Sequence, residues 1–166
     1  MPFPLVEATV EGEVAAEEPV YLVVELPPTD VEAALLNWTV AGSVVDGEVV
    51  FTINGESGFV GEEHQHVVLE TFDANVPVKI KLRSSVSPAH PFHIHGQFFQ
   101  IIERGGDPVT DEPGLRDTRG ADSVTILSYF ENPGQWMVHC HISEHSEKGI
   151  MADIIGGEAS EASHQH

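Results

Sequence analysis

The sequence predicts an all-β protein, a sandwich of antiparallel strands. Three observations carry this expectation. Short apolar or alternating runs recur along the chain, turn-forming residues separate them, and only one stretch has helical character. The 166 residues suit one domain with its own core, and 41% apolar residues is ordinary for a globular fold.

In chain order, VYLVVEL (20–26) is the first strand candidate, within an N-terminal region (1–45) read as opening strands or an extension. TDVEAALLN (29–37) is read as the helix, near residues 30–37. Thr29 or Asp30 can cap it, and Glu32, Ala33, Ala34 and Leu35 are good helix formers. NWTVAG (37–42), GEVVFTI (47–53), HVVLETF (66–72) and VPVKIKL (76–82) follow as strands. FFQIIE (98–103), DSVTILSYF (122–130), QWMVHC (135–140) and IMADII (150–155) complete the set. VKIKL and VVLETF show the period of two that half-buried strands require. NGESG, DAN, ERGGD, DEPG and ENPGQ supply the turns. Residues 1–156 are expected to form a single domain, and GEASEASHQH (157–166) a disordered polar tail.

Charge narrows the partners. Seven Lys and Arg stand against 27 Asp and Glu, a formal net charge of −20. Such a surface repels nucleic acid and anionic membrane, so neither is expected to bind; it favours solubility and cationic protein partners. No apolar run reaches the roughly 18 residues of a membrane-spanning helix. The opening MPFPLVEATVEGEV has no basic region and no long apolar core, so no signal peptide is expected in this chain. A single cysteine, Cys140, excludes an internal disulfide.

The chemistry is concentrated in two runs, HPFHIHG (90–96) and HCHISEHSEKGIM (139–151). A thiolate beside imidazoles is a soft, anionic donor set that suits copper, with zinc the second choice. Cys140 with His90 and His145 makes the two-His, one-Cys trigonal set of a blue-copper centre. Such centres add a weak axial ligand. The Cys-x4-His-x4 spacing puts that position at Ile150, which cannot coordinate, with Met151 one residue later as the alternative. A lone cysteine is more often an inert buried thiol, and a lone histidine an ordinary hydrogen-bonded one; the clustering argues against both. Alternate residues of an extended segment share a face, so His93 pairs with His95, and His139 pairs with His141 opposite Cys140. One strand would then carry a copper thiolate on one side and two imidazoles on the other.

The two runs resemble the copper signatures of the last domain of the multicopper oxidases, the laccase-like family. FTINGES (51–57), RDT (116–118) and NPGQWMVHCHI (132–142) resemble the same domain, and the likeness runs from about residue 49 to 155. It implies a cupredoxin-like Greek-key β-sandwich, copper as cofactor and copper-dependent oxidoreductase chemistry. Carried over residue by residue, the resemblance assigns His90, Cys140 and His145 to a type 1 copper. It assigns His93 to the type 2 copper, and His95, His139 and His141 to the type 3 coppers. Ile150 departs from the Met of many members, and Gln97 stands where a His often ends the first motif. Phe92, Trp136 and Ile150 are expected to keep water from the type 1 site. The expected location is extracytoplasmic, periplasmic or secreted. The expected partner is an electron donor or acceptor, either a small molecule or a cationic protein.

The family builds its trinuclear copper cluster between two domains, and this sequence carries one of the two histidine half-sites. His64-Gln65-His66 is the remaining HxH outside the tail, and it reads as two solvated histidines in an acidic turn. Three readings stay open. The chain is a self-sufficient type 1 protein that transfers single electrons or oxidises a small molecule such as nitric oxide. Alternatively, a homo-oligomer, such as a two-fold dimer, joins two half-sites and reduces dioxygen. Or the chain is a fragment or subunit of a larger assembly. A copper carrier or storage protein is a fourth reading. It is less favoured because Cu(I) carriers rely on soft Cys and Met pairs, whereas imidazole dominates here.

Overall fold

The computed structural model describes residues 26–60, 63–86 and 90–157. In chain order the strands are β1 (Ala34–Val45), β2 (Glu48–Ile53), β3 (Phe59–Val60), β4 (Glu63–His64), β5 (Val68–Phe72), β6 (Val78–Ser84) and β7 (Pro91–Ile94). Then come β8 (Phe99–Arg104), β9 (Asp107–Pro108), β10 (Thr118–Gly120), β11 (Val124–Ser128), β12 (Gly134–Cys140) and β13 (Met151–Gly156). Among the described residues one short helix, α1 (Ser143–Glu147), lies between β12 and β13. Two sheets face each other, ordered β2-β1-β6-β11-β8-β9 and β10-β7-β12-β13-β5, and β3 pairs with β4 in a separate hairpin.

The alternation of side chains builds the core. In β6, Val78, Ile80 and Leu82 are buried while Lys79 and Lys81 point away. Every residue of β11 is buried, which fits its place inside the six-stranded sheet. From the other sheet, Phe92, Ile94, Val138, Ala152 and Ile154 meet them. Trp38 lies between the sheets, its ring centroid 6.4 Å from Phe72 and 5.8 Å from Phe92.

The structure departs from the expected fold at three points. Residues 34–37 begin strand β1 rather than a helix. Leu36, Trp38 and Val40 alternate inward, and the burial of that face outweighs the helical propensity of Glu32 to Leu35. The helix that does form, α1, has five residues, too few for a periodic signal. The sheets are also mixed: β1 runs parallel to β6, and β13 runs parallel to β5. A period of two fixes which face a residue takes but not the direction of the neighbouring strand. The strand candidate VYLVVEL, apart from its last residue Leu26, and the tail from residue 158 onward lie outside the described residues.

The strand assignment of 34–45 has a direct test. In a helix, Leu35 and Trp38 would share a face. In β1 Leu35 is 58% exposed and Trp38 is 1% exposed. Leu35→Ala should therefore leave stability within about 0.5 kcal/mol, whereas Trp38→Ala should cost about 3–5 kcal/mol in chemical unfolding. Comparable losses at both positions would contradict the strand.

Candidate metal centre

Three chain segments converge at one edge of the sandwich. His90 directly precedes β7, Cys140 ends β12, and His145 lies in α1. Cross-strand pairing of Cys140 with Phe92 brings the end of β12 beside the start of β7. The Nδ1 atoms of His90 and His145 are 3.0 Å apart, and Cys140 Sγ is 3.8 and 3.9 Å from them. His90 and Cys140 are each 1% exposed, and His145 is half-buried. Metal–ligand distances of about 2.0–2.3 Å place a single ion within reach of all three atoms. Two imidazole nitrogens and a sulfur have little reason to converge without a cation to share. The donor set therefore fits a copper ion.

Local electrostatics favour neutral, ligating groups. Burial pushes the His90 imidazole below its ordinary range, and the neighbouring His145 pushes it the same way. Burial also raises the Cys140 thiol, partly offset by the Ile142 backbone N–H, which donates to Sγ at 3.4 Å. In the metal-free protein the thiol keeps its proton at neutral pH, so a metal must displace it on binding.

The ligand loop is docked on β2. Phe51 N–H donates to Lys148 O at 2.7 Å, and a Cβ added at Gly149 would lie 2.0 Å from Phe51 O. Gly149 also has φ +120°, so glycine is required there twice over. This contact sets the Phe51 ring against both imidazoles, with centroids 5.4 Å from His90 and 5.0 Å from His145. Ile150, fully buried, closes the loop: its N–H donates to His145 O and its carbonyl accepts from Cys140 N–H.

A second histidine group lies on the outer face of the same sheet. Nitrogen atoms of His93, His139 and His141 all lie within 4.8 Å of one another. His95 joins through His139, their Nε2 atoms 2.9 Å apart. His139 Nδ1–H donates to Cys140 O at 2.8 Å, and His93 Nδ1–H donates to Asp117 O at 3.0 Å. Both bonds put the proton on Nδ1 and leave Nε2 with a lone pair, the tautomer a metal ligand needs. Burial lowers the pKa of His93 and His95; their histidine neighbours add to this, while Asp117 opposes it.

Two expected positions fall elsewhere. Met151 pairs across strands with His139, so it stands on the outer face and not beside Cys140. Its distance along the sequence suggested an axial ligand, but strand alternation turns it away. Trp136 lies four residues from Cys140, about 13 Å along β12. Its ring rests on Gly96 and its Nε1–H donates to Asn132 O, so it is no shield for the triad. Phe51 and the Asp117 carbonyl that holds His93 carried no functional assignment from sequence. Both follow from chain segments that meet only in the fold.

A family profile described as multicopper oxidase matches residues 39–160. The chain belongs to the multicopper oxidase family. It is 34% identical over 110 residues to laccase-3 of Thanatephorus cucumeris, covering 64% of this chain and 18% of that protein. It is 38% identical over 80 residues to an iron transport multicopper oxidase of Schizosaccharomyces pombe, covering 40% and 13%. The crystal structure of a multicopper oxidase from Pediococcus acidilactici superposes with TM-score 0.65 at 27% identity, over 86% of this chain and 30% of that one. The shared architecture is the cupredoxin-like sandwich, and the family's cofactor is copper. The chain spans under a fifth of the curated relatives it matches, 18% of the laccase.

The depressed histidines make metal-free stability depend on pH. Below the ordinary value of 6.5, an unfolded chain binds protons that folded His90, His93 and His95 resist. Stability should therefore fall as pH drops through 6.5 toward the folded values. Thermal melts of metal-free protein between pH 7.5 and 5 should show it, with a shallower slope in His90→Gln. An equal slope in the variant would remove His90 from the account.

Proposed function

We propose that the chain is the electron-entry domain of a copper-dependent oxidase. In this reading His90, Cys140 and His145 hold a type 1 copper. His93 (type 2) with His95, His139 and His141 (type 3) form one half of a cluster completed by a second protein surface. The observation that carries it is the position of Cys140 at the end of β12, between His139 on the strand and His141 just past it, with its side chain in the triad and theirs in the other histidine group. Copper, when bound, supplies one-electron redox chemistry at neutral pH. Cys140 offers a covalent path from its sulfur, through the backbone, to both flanking imidazoles. His145 is less buried than His90, so it is the ligand turned toward an electron donor. His93 and His139, fixed by their Nδ1–H bonds, keep Nε2 as the ligating nitrogen of the half-site, against which the second surface must dock.

The Phe51 ring packs on both imidazoles of the triad, and Ile150 is fully buried with its backbone bonded to His145 and Cys140. That packing supports electron transfer without direct contact between donor and metal, over a small molecule such as nitric oxide binding at an open position. The completing surface is a second copy of the chain or another domain that carries matching histidines. Dioxygen reduction, oxidation of a small organic or metal donor, and an extracytoplasmic setting follow from the family resemblance.

Three measurements test this reading. Cys140→Ser should abolish the visible absorption of the copper-loaded chain, and retained colour would remove the type 1 assignment. Ile150→Met should lower the reduction potential and shift the spectrum; an unchanged potential would mean that position 150 is not axial. Copper per chain should be read together with oligomer mass and paramagnetic resonance. More than about one copper per chain, in a dimer or larger assembly that consumes oxygen, is expected if copies complete the cluster. One copper in a monomer would move the completing surface to another chain.

A further inference from the structure

We propose a further metal position, distinct from both histidine groups above, in which His64 and His66 bind one divalent transition-metal ion and Asp153 positions His66. In sequence, His64-Gln65-His66 looks like a solvated turn. The structure adds a carboxylate behind it. His66 Nδ1–H donates to Asp153 Oδ2 at 3.1 Å, and the Asp153 side chain is only 7% exposed. Gln135 Nε2 donates to the same oxygen at 2.8 Å. A carboxylate removed from water is costly unless its bonds are met. Asp153 meets that need with His66 and Gln135, and it touches neither the Cys140 triad nor the His93 group. Its effect on His66 is to fix the Nδ1–H tautomer and leave the Nε2 lone pair facing solvent. This is the carboxylate–histidine relay that orients and strengthens imidazole ligands of metals.

The backbone holds the second ligand in place. Gln65 N–H donates to Gly58 O at 2.8 Å, Val67 N–H to Gln65 O at 3.0 Å, and Asp153 N–H to Val67 O at 2.7 Å. These bonds tie the segment to β13 on one side and to the β3 turn on the other. The rings of His64 and His66 stand 4.7 Å apart at 63°, and Phe59 backs His64 at 5.3 Å. Both histidines are exposed, so water can fill the remaining coordination positions. Two imidazoles with water suit Cu²⁺, Ni²⁺ or Zn²⁺ and not Ca²⁺ or Mg²⁺, which prefer oxygen donors. His66 and Asp153 line an open groove that continues past Gln135 and Met137 to His95, so the ion would sit on the outer sheet face beside the half-site.

Nickel separates this position from the copper sites. The full chain is first loaded with copper and freed of loosely held ions by gel filtration against a weak chelator. Ni²⁺ is then titrated by calorimetry. The native sequence should bind one equivalent more than His64→Gln or His66→Gln, with visible absorption unchanged. Asp153→Asn should keep that equivalent but weaken it by roughly 10- to 100-fold. Equal nickel counts in the native chain and His66→Gln would overturn the site. Unchanged affinity in folded Asp153→Asn would overturn the positioning role. If Asp153→Asn does not fold, the comparison with His64→Gln, an exposed position, still decides the site.

Discussion

Adjacent side chains of a β-strand leave the backbone on opposite sides, and where β12 ends at Cys140, between His139 and His141, everything else depends on this. Cys140 enters the buried side of the sheet while His139 and His141 stand on the open side. Two different environments are thereby joined by a single peptide step in each direction. One is packed and nearly dry, where a thiol and two imidazoles meet. The other is partly open to solvent and lined by imidazoles. A helix would not give this separation, because consecutive residues on a helix are only about 100° apart.

The sandwich makes the buried side stable enough to hold unpaired donors. Phe92, Ile94, Val138 and Ile150 are fully buried in the same core as Cys140, and the triad is closed from the other sheet by β2. That closure rests on a close backbone approach. Gly149 lies so near Phe51 that no side chain fits between them, and the Phe51 ring consequently covers both imidazoles. Burial then sets the protonation balance, holding His90 neutral and the Cys140 thiol protonated until a cation takes its place.

Much of this was legible in the residues. VKIKL, GEVVFTI and QWMVHC announced β6, β2 and β12 through alternation or β-branched content, and their turns were marked by Gly, Asn, Asp and Pro. The density of His and Cys at 90–96 and 139–151 pointed to metal chemistry and to the family. The stretch 29–37 misled because local propensity favoured a helix, whereas burial of Leu36 and Trp38 against the facing sheet favoured a strand. Met151 misled because one-dimensional spacing does not record the face a strand residue takes.

The sequence by itself determined the donor atoms and their alternation, because ligand chemistry and the two-residue strand period are local properties. It also determined that position 150 carries an isoleucine, a side chain with no donor atom. Only the tertiary structure decided which residues surround those donors. Phe51, Asp117 and Asp153 come from segments far from the histidines they contact, and pairing between distant strands leaves no periodic trace in the chain. The same holds for strand direction: β1 beside β6 and β13 beside β5 run parallel, a choice made by how the chain crosses between sheets and not by any residue within the strands.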